Sequence, residues 1–214
     1  MEYTMIDKVS EKIAEELQKF LKFKENFEFV PKDILDKNGN LYCDELPIFD
    51  EKGKYIAECE KWINIGYVIK GSFSKTLSNL YPYEFDFKGF HLKSLEAFFH
   101  GLKFKNPEIQ KLIFSYSGTD AYHIQAASDY NWKENGYVYW QGQAIKRDSA
   151  EYDLLVDEAY ISMAQNPLYR QALKNVAKPL IHSMGKDSKE ETLLTRYEFE
   201  KQINCLSAFL KQLD

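Results

Sequence analysis

Apolar positions recur along this chain with two different periods, and the switches between them mark its elements. Met5, Ile6, Val9, Ile13, Leu17, Phe20 and Leu21 keep the three-and-four spacing of a helix with charged residues on the other face, which predicts a helix over 4–22. From 25 to 60 that period is lost. "DKNGNLY" carries Asn38-Gly39, a tight-turn pair, and "LPIFDEKGKYIAECE" reads as two short strands around Lys52-Gly53. "WINIGYVIKG" is expected to be a strand ending at Gly71, and "YEFDFKGFHL" a hairpin with Lys88-Gly89 at its turn. Leu95, Phe98, Phe99 and Leu102 then return to helical spacing behind Ser94, a good N-cap. "GTDAYHIQAASDY" predicts a helix from Asp120, and "VYWQGQAIKRDS" a loop or short strand pair about Gly142. "AEYDLLVDEAYISMAQ" predicts a helix with Tyr152, Leu155, Ala159 and Met163 on one side. Asn166-Pro167 opens a further helix through Val176, and Pro179 closes it. Thr195 and Glu198 form a capping box before a last helix with Phe199, Ile203, Leu206, Phe209, Leu210 and Leu213 on its apolar line. The sum is an α+β chain, mainly helical with a few short strands. Residues 1–60 form an N-terminal helix-plus-hairpin extension to a main domain at 61–214.

With 214 residues, 44% of them hydrophobic, the chain can bury a real core. Fifteen Tyr and fifteen Phe suit either that core or stacking on a flat ligand. The net charge of −5 argues against a protein that coats nucleic acid through its phosphates. The local basic groups are Lys103, Lys105 and Lys111, then Lys146 and Arg147, then Arg170, Lys174 and Lys178, and none is a dense run. Cys43, Cys59 and Cys205 are odd in number and unpaired in spacing, against a disulfide framework or a structural zinc. His91, His100, His123 and His182 show no metal-ligand spacing, so no metal is expected. There is no phosphate-binding Gly-rich loop, no Ser nucleophile elbow and no cofactor motif. The first twenty residues lack a signal-peptide apolar core, and no apolar run approaches the ~20 residues of a membrane span. A cytoplasmic protein without a membrane partner is expected.

What remains is a set of polar residues where an apolar sequence would be simpler. In "SLEAFFHGLKF", Glu96, His100 and Lys103 are four and then three residues apart and share one stripe at the edge of the apolar face. They read either as a solvated rim pair contributing ~0.2–0.5 kcal/mol, or as a half-desolvated carboxylate held for chemistry. Asn79 in "LSNLYP" is a turn asparagine or a ligand contact. Trp140 is core or a stacking wall, and Arg147 with Asp148 is a surface pair or an anion contact. His182, Lys186, Asp187 and Thr192 fall in "LIHSMGKDSKEET", a loop between helices.

The order of these pieces carries a resemblance. "LSNLYPYEFDFKGFHLKSLEAFFHGLKF" resembles the opening of the YbiA-like, or NADAR, family: a Ser-Asn-Phe stretch, a short hairpin, then Ser-x-Glu-x-x-Phe-Gln-Ala-x-Lys-Phe. Ser78-Asn79, Ser94, Glu96, Phe99, Lys103 and Phe104 match, while His100 and Gly101 stand where Gln and Ala are usual. "YWQGQAIKRDSAEYDLL" and "MAQNPLYRQAL" are similar to later segments of that family. "LIHSMGKDSKEETLLTRYEFEKQI" resembles a branch whose ending replaces an Asp-x-x-Trp-Gly. The resemblance covers about 65–214 and leaves residues 1–60 outside.

That resemblance implies a YbiA-like fold and a metal-independent hydrolase, an N-glycosidase that cleaves a ribosyl C1–N bond without a cofactor. The implied substrates are ADP-ribose linked to guanine, free or within a nucleic acid, and related nucleotides such as riboflavin-pathway intermediates. Glu96 and Lys103 are then the catalytic residues: a fixed carboxylate stabilises a cationic sugar or activates a water. Asn79, His100, Trp140, Arg147, His182 and Lys186 are the substrate-binding candidates. Trp140 would stack on the base and Arg147 would fork a phosphate. Two other readings stay open: a non-catalytic ADP-ribose or nucleotide-binding module, and an interaction protein that works through its extension.

Overall fold

The computed structural model describes residues 2–29, 49–124 and 132–213, with side chains in the first helix from residue 11 onward. In chain order the elements are α1 (Glu2–Glu25), β1 (Ile63–Asn64), α2 (Ser72–Thr76), β2 (Phe85–Phe87), β3 (Phe90–Leu92), α3 (Leu95–Gly101), α4 (Pro107–Phe114), α5 (Gly118–His123), α6 (Trp132–Asn135), β4 (Tyr137–Trp140), β5 (Gln143–Lys146), α7 (Ala150–Met163), α8 (Pro167–Asn175), β6 (Leu180–Ile181) and α9 (Arg196–Gln212). The fold is α+β and mainly helical, as expected. Among the described residues no helix is long and apolar enough to cross a membrane. Packing divides the chain into two compact units, Met1–Asn26 with Pro82–Arg170, and Phe27–Tyr81 with Gln171–Asp214.

The first unit is built on α7. The expected line of Tyr152, Leu155, Ala159 and Met163 is buried, and so are Val156, Asp157, Tyr160 and Ile161 on its other sides. A helix buried this widely needs cover, and α1 supplies some of it. Phe20 and Glu16 are buried, while Ile13 and Leu17 are half-buried. The expected contacts of Met5 and Val9 lie outside the described side chains. The α1 docking is partly ionic: Lys24 Nζ sits 2.5 Å from Asp157 Oδ1, and Glu16 accepts from Arg170 at 2.7 Å and from Gln165 at 3.2 Å.

Two antiparallel hairpins complete this unit, and both have two-residue loops. In the first, Phe87 faces Phe90 across Lys88-Gly89. In the second, Trp140 faces Gln143 across Gln141-Gly142. All four loop residues have positive φ, 48° and 83° in the first loop and 49° and 83° in the second, which is the turn that suits the right-handed twist of a hairpin. "VYWQGQAIKRDS" is thus a strand pair. The helices begin where short polar side chains can accept backbone N–H groups. Ser94 caps α3, Asn106 caps α4 ahead of Pro107, Ser117 caps α5 and Ser149 caps α7.

The second unit has a parallel pair, Ile63 with Leu180 and Asn64 with Ile181. The Asn204 side chain, on α9, bonds both the N–H and the carbonyl of Leu180, at 2.9 and 2.8 Å. The Thr195–Glu198 capping box starts α9 as expected, and Phe199, Ile203, Leu206, Phe209 and Leu210 are buried along it, while Leu213 is exposed.

Three expectations need correction. "WINIGYVIKG" is strand only at Ile63–Asn64, because Ile69 N–H turns back to Gly66 O at 3.0 Å. Lys52-Gly53 lies in a turn held by Asp50, which accepts from Lys52 and Lys54 N–H. The flanking chains meet in one isolated bridge, Phe49 with Tyr55, instead of two strands. The loop expected after Pro179 begins with β6. Asn38-Gly39 and Cys43 lie outside the described residues.

Lys24→Met should test the ionic docking of α1. Asp157 has a side chain only 4% exposed, so removing the Lys24 cation that helps to compensate it should cost ~2–4 kcal/mol in chemical denaturation. Adding Asp157→Leu should recover most of that loss. A Lys24→Met protein as stable as wild type would remove the pair from the docking account.

Candidate functional site

Helix α3 carries the polar stripe. Ser94 is fully buried and accepts from Ala97 N–H at 3.1 Å, which fixes where the helix starts and hence which way Glu96 points. Leu95, Ala97, Phe98 and Phe99 are buried, so the helix cannot rotate without exposing them. On the stripe, His100 Nε2 lies 3.1 Å from Glu96 Oε1, and Lys103 Nζ lies 3.3 Å from His100 Nδ1. The three residues form a line of contacts with the imidazole in the middle. The His100 side chain is 6% exposed and the Glu96 side chain 17%. This is not a solvated rim pair: the ring is inside and the carboxylate keeps only a narrow opening.

The end of α3 is tied to the β4–β5 hairpin. Tyr139 N–H donates to Leu102 O at 2.8 Å. Gln110, fully buried on α4, donates through its amide to Gly101 O at 3.1 Å and to Tyr139 O at 2.6 Å. Its own oxygen accepts from Gln141 N and Nε2 at 2.9 and 3.2 Å. Trp140 therefore has a fixed relation to the helix that carries Glu96. Its indole is half-buried, stacked on Phe114 at 5.7 Å and met edgewise by Phe87 at 5.2 Å and Phe90 at 5.7 Å. It is at once part of an aromatic cluster and partly open.

Arg147 follows β5 and is 4% exposed, with its guanidinium 4.7 Å from the centre of the Tyr152 ring. It is a buried cation over an aromatic face. Asn79, His182 and Lys186 belong to the second unit. Asn79 is half-buried in the turn closed by Tyr81 N–H to Ser78 O at 2.9 Å. His182 Nδ1 lies 2.7 Å from Ile65 O, which makes it the donor there, and its ring packs on Phe199 at 5.0 Å. Lys186 is exposed, while its carbonyl accepts from Arg196 N–H at 2.7 Å.

Three structural polar residues escape the sequence reading. Gln110 is one, and its signal was an amide at helical spacing from Ile113 and Phe114. Asn64 is fully buried and holds Ser183 by accepting from its N–H at 3.1 Å and donating to its Oγ at 2.8 Å. Glu200, 4% exposed on α9, accepts from His182 N–H at 2.7 Å. Burial pushes its carboxyl up to about 7, against the lowering effects of that N–H and of Arg196. Among the described residues no group of three or more His, Cys, Asp or Glu is placed to hold a metal ion.

Gln110→Leu should cost ~2–4 kcal/mol in denaturant, because it removes four hydrogen bonds at once, one buried and three part-buried. Glu200 sets a pH slope. Its folded pKa lies above the ordinary 4.5, so between that value and about 7 the unfolded chain ionises first and stability falls as pH rises. Glu200→Gln keeps an acceptor for His182 N–H and removes the charge. It should raise stability at pH 8 by ~1–3 kcal/mol and leave it nearly unchanged at pH 4.5. A gain of equal size at both pH values would refute the burial account.

Residues 71–208, the stretch that holds all eight candidate site residues, match the family described as Bacteriophage protein GP30.3. An uncharacterized 17.1 kDa protein of Enterobacteria phage T4, from the Gp30–rIII intergenic region, is 36% identical over 137 residues, 62% of this chain and 89% of the T4 protein. No solved structure matches the chain. A family match across 138 of 214 residues, with the T4 protein aligned over most of its length, makes this chain a member of the phage GP30.3 family.

Proposed function

We propose that this chain is an N-glycosidase of YbiA-like, or NADAR, type, which hydrolyses the ribosyl C1–N bond of guanine-linked ADP-ribose or of a related nucleotide such as a riboflavin-pathway intermediate. The observation that carries the reading is the line Glu96–His100–Lys103, a carboxylate 17% exposed whose inner neighbour is a buried ring. Breaking a C1–N bond leaves its electron pair on the base and a cationic sugar behind. A fixed carboxylate in low-dielectric surroundings stabilises that cation more strongly than one in water. The same carboxylate orients the water whose oxygen bonds to C1 and whose proton passes to the departing base. Lys103 supplies the positive charge that keeps this stripe electrically balanced or meets a phosphate. Trp140, backed by Phe114, suits a flat base because its ring is already held in place. Arg147 suits an anion at the other end of the ligand.

The test is to incubate the purified chain with guanine-linked ADP-ribose and with a riboflavin intermediate, and to follow the products by mass spectrometry. Free base and the ribosyl product should appear. Glu96→Gln should lower turnover by at least ~10²-fold, since the charge acts mainly in the transition state. Binding of ADP-ribose should change far less, and stability should hold or rise. Binding without cleavage by the wild type would instead describe a nucleotide-binding module. Full activity in Glu96→Gln would end the mechanism.

A further inference from the structure

The chemistry of the Glu96–His100–Lys103 line constrains the imidazole more tightly than a substrate-binding role would. His100 is 5% exposed, and its two ring nitrogens face charged side chains, Glu96 on its own helix and Lys103 in the turn just past that helix's end. An ammonium has only donors, so Nδ1, 3.3 Å from Lys103 Nζ, must present its lone pair. An ionised carboxylate has only acceptors, so Nε2, 3.1 Å from Glu96 Oε1, must carry the proton. One tautomer meets both demands, and it is neutral. The imidazolium would aim an N–H at an ammonium, and the other neutral tautomer would aim a lone pair at a carboxylate and an N–H at Lys103.

We infer that His100 is a positioning residue, held as the neutral Nε2–H tautomer, which spaces the Glu96 carboxylate and the Lys103 ammonium and leaves the charge on those two groups. This rests on the hydrolase reading for its consequence in catalysis, but not for its existence. The role is that of a side-chain amide. An imidazole in this tautomer places a donor and an acceptor on either side of one planar carbon, as the N–C–O of a glutamine amide does. The Tyr122 ring on α5 meets the imidazole edgewise at 6.0 Å and packs one side of it. His100 thus acts through Glu96, by holding the carboxylate where it can face C1, and need not touch the substrate.

Two measurements test this on the full chain. The first is ¹⁵N NMR of the four histidine rings at pH 8, with His100 assigned by comparison with His100→Gln. His100 should show a protonated Nε2 and a lone-pair Nδ1. A proton on Nδ1, with or without one on Nε2, overturns the inference whether or not the protein is an enzyme. The second is turnover of guanine-linked ADP-ribose by two variants. His100→Gln keeps donor and acceptor and should stay within about threefold of wild type, while His100→Leu keeps the bulk alone and should lose ~10- to 10²-fold, mainly in kcat. Equal losses in both variants would overturn the amide-like role. If the wild type cleaves nothing, the hydrolase reading fails and the NMR result alone decides the tautomer.

Discussion

The side-chain amide of Gln110 is the constraint on which the first unit's geometry depends. A buried amide has to satisfy donors and acceptors without water, and an unmet one costs a few kcal/mol. Gln110 meets its needs on two different elements, at Gly101 O on α3 and at Tyr139 O and Gln141 on the β4–β5 hairpin. Because hydrogen bonds are directional, this fixes orientation where apolar packing alone would permit sliding. Gln141 has a positive φ of 49°, as the two-residue hairpin turn requires, and its bonds to Gln110 add to the hold on it. Helix, hairpin turn and the Trp140 ring are therefore set by one residue that touches no proposed substrate.

Buried charge does comparable work at the edge of the same unit. The apolar stripe of α1 would dock on any greasy face, but Glu16 needs Arg170 and Gln165, and Lys24 needs Asp157. Misplacing α1 by one turn would bury these groups without partners, so the ion pairs select the register more than they add to stability. Both α1 and β1 precede residue 71, where the family match begins, yet α1 covers α7 and β1 pairs with β6. The boundary of sequence similarity is not a boundary of packing, and each unit relies on a segment outside the match.

Much of the local structure was legible because it rests on local chemistry. Lys88-Gly89 and Gln141-Gly142 turn where a glycine can take positive φ, and the Thr195–Glu198 box starts α9, since those signals need only neighbours in sequence. The α4 helix was legible but unread: Asn106-Pro107 is the same opening that marks α8 at Asn166-Pro167. What sequence could not reveal depends on distant partners. The β6 strand is only Leu180–Ile181 and exists through Ile63, Asn64 and Asn204. The Glu96 stripe was visible as spacing, but spacing cannot distinguish a rim from a half-closed site. Burial of His100 makes that distinction, and the Tyr122 ring of α5 packs against it.

Of the two departures from the helix pattern that this chain resembles, His100 and Gly101, the second has a local cause. A Cβ at position 101 would lie 2.2 Å from Phe114 Cε1, so an alanine there cannot coexist with that ring. Phe114 is also the ring stacked on Trp140, and it meets Phe90 at 5.6 Å. Glycine at 101 thus lets α4 approach α3 closely enough for Phe114 to back the indole. That close approach also brings Gln110 within reach of Gly101 O. A lost methyl on one helix is offset by an aromatic ring from the next, and the adjustment falls on the core side of α3.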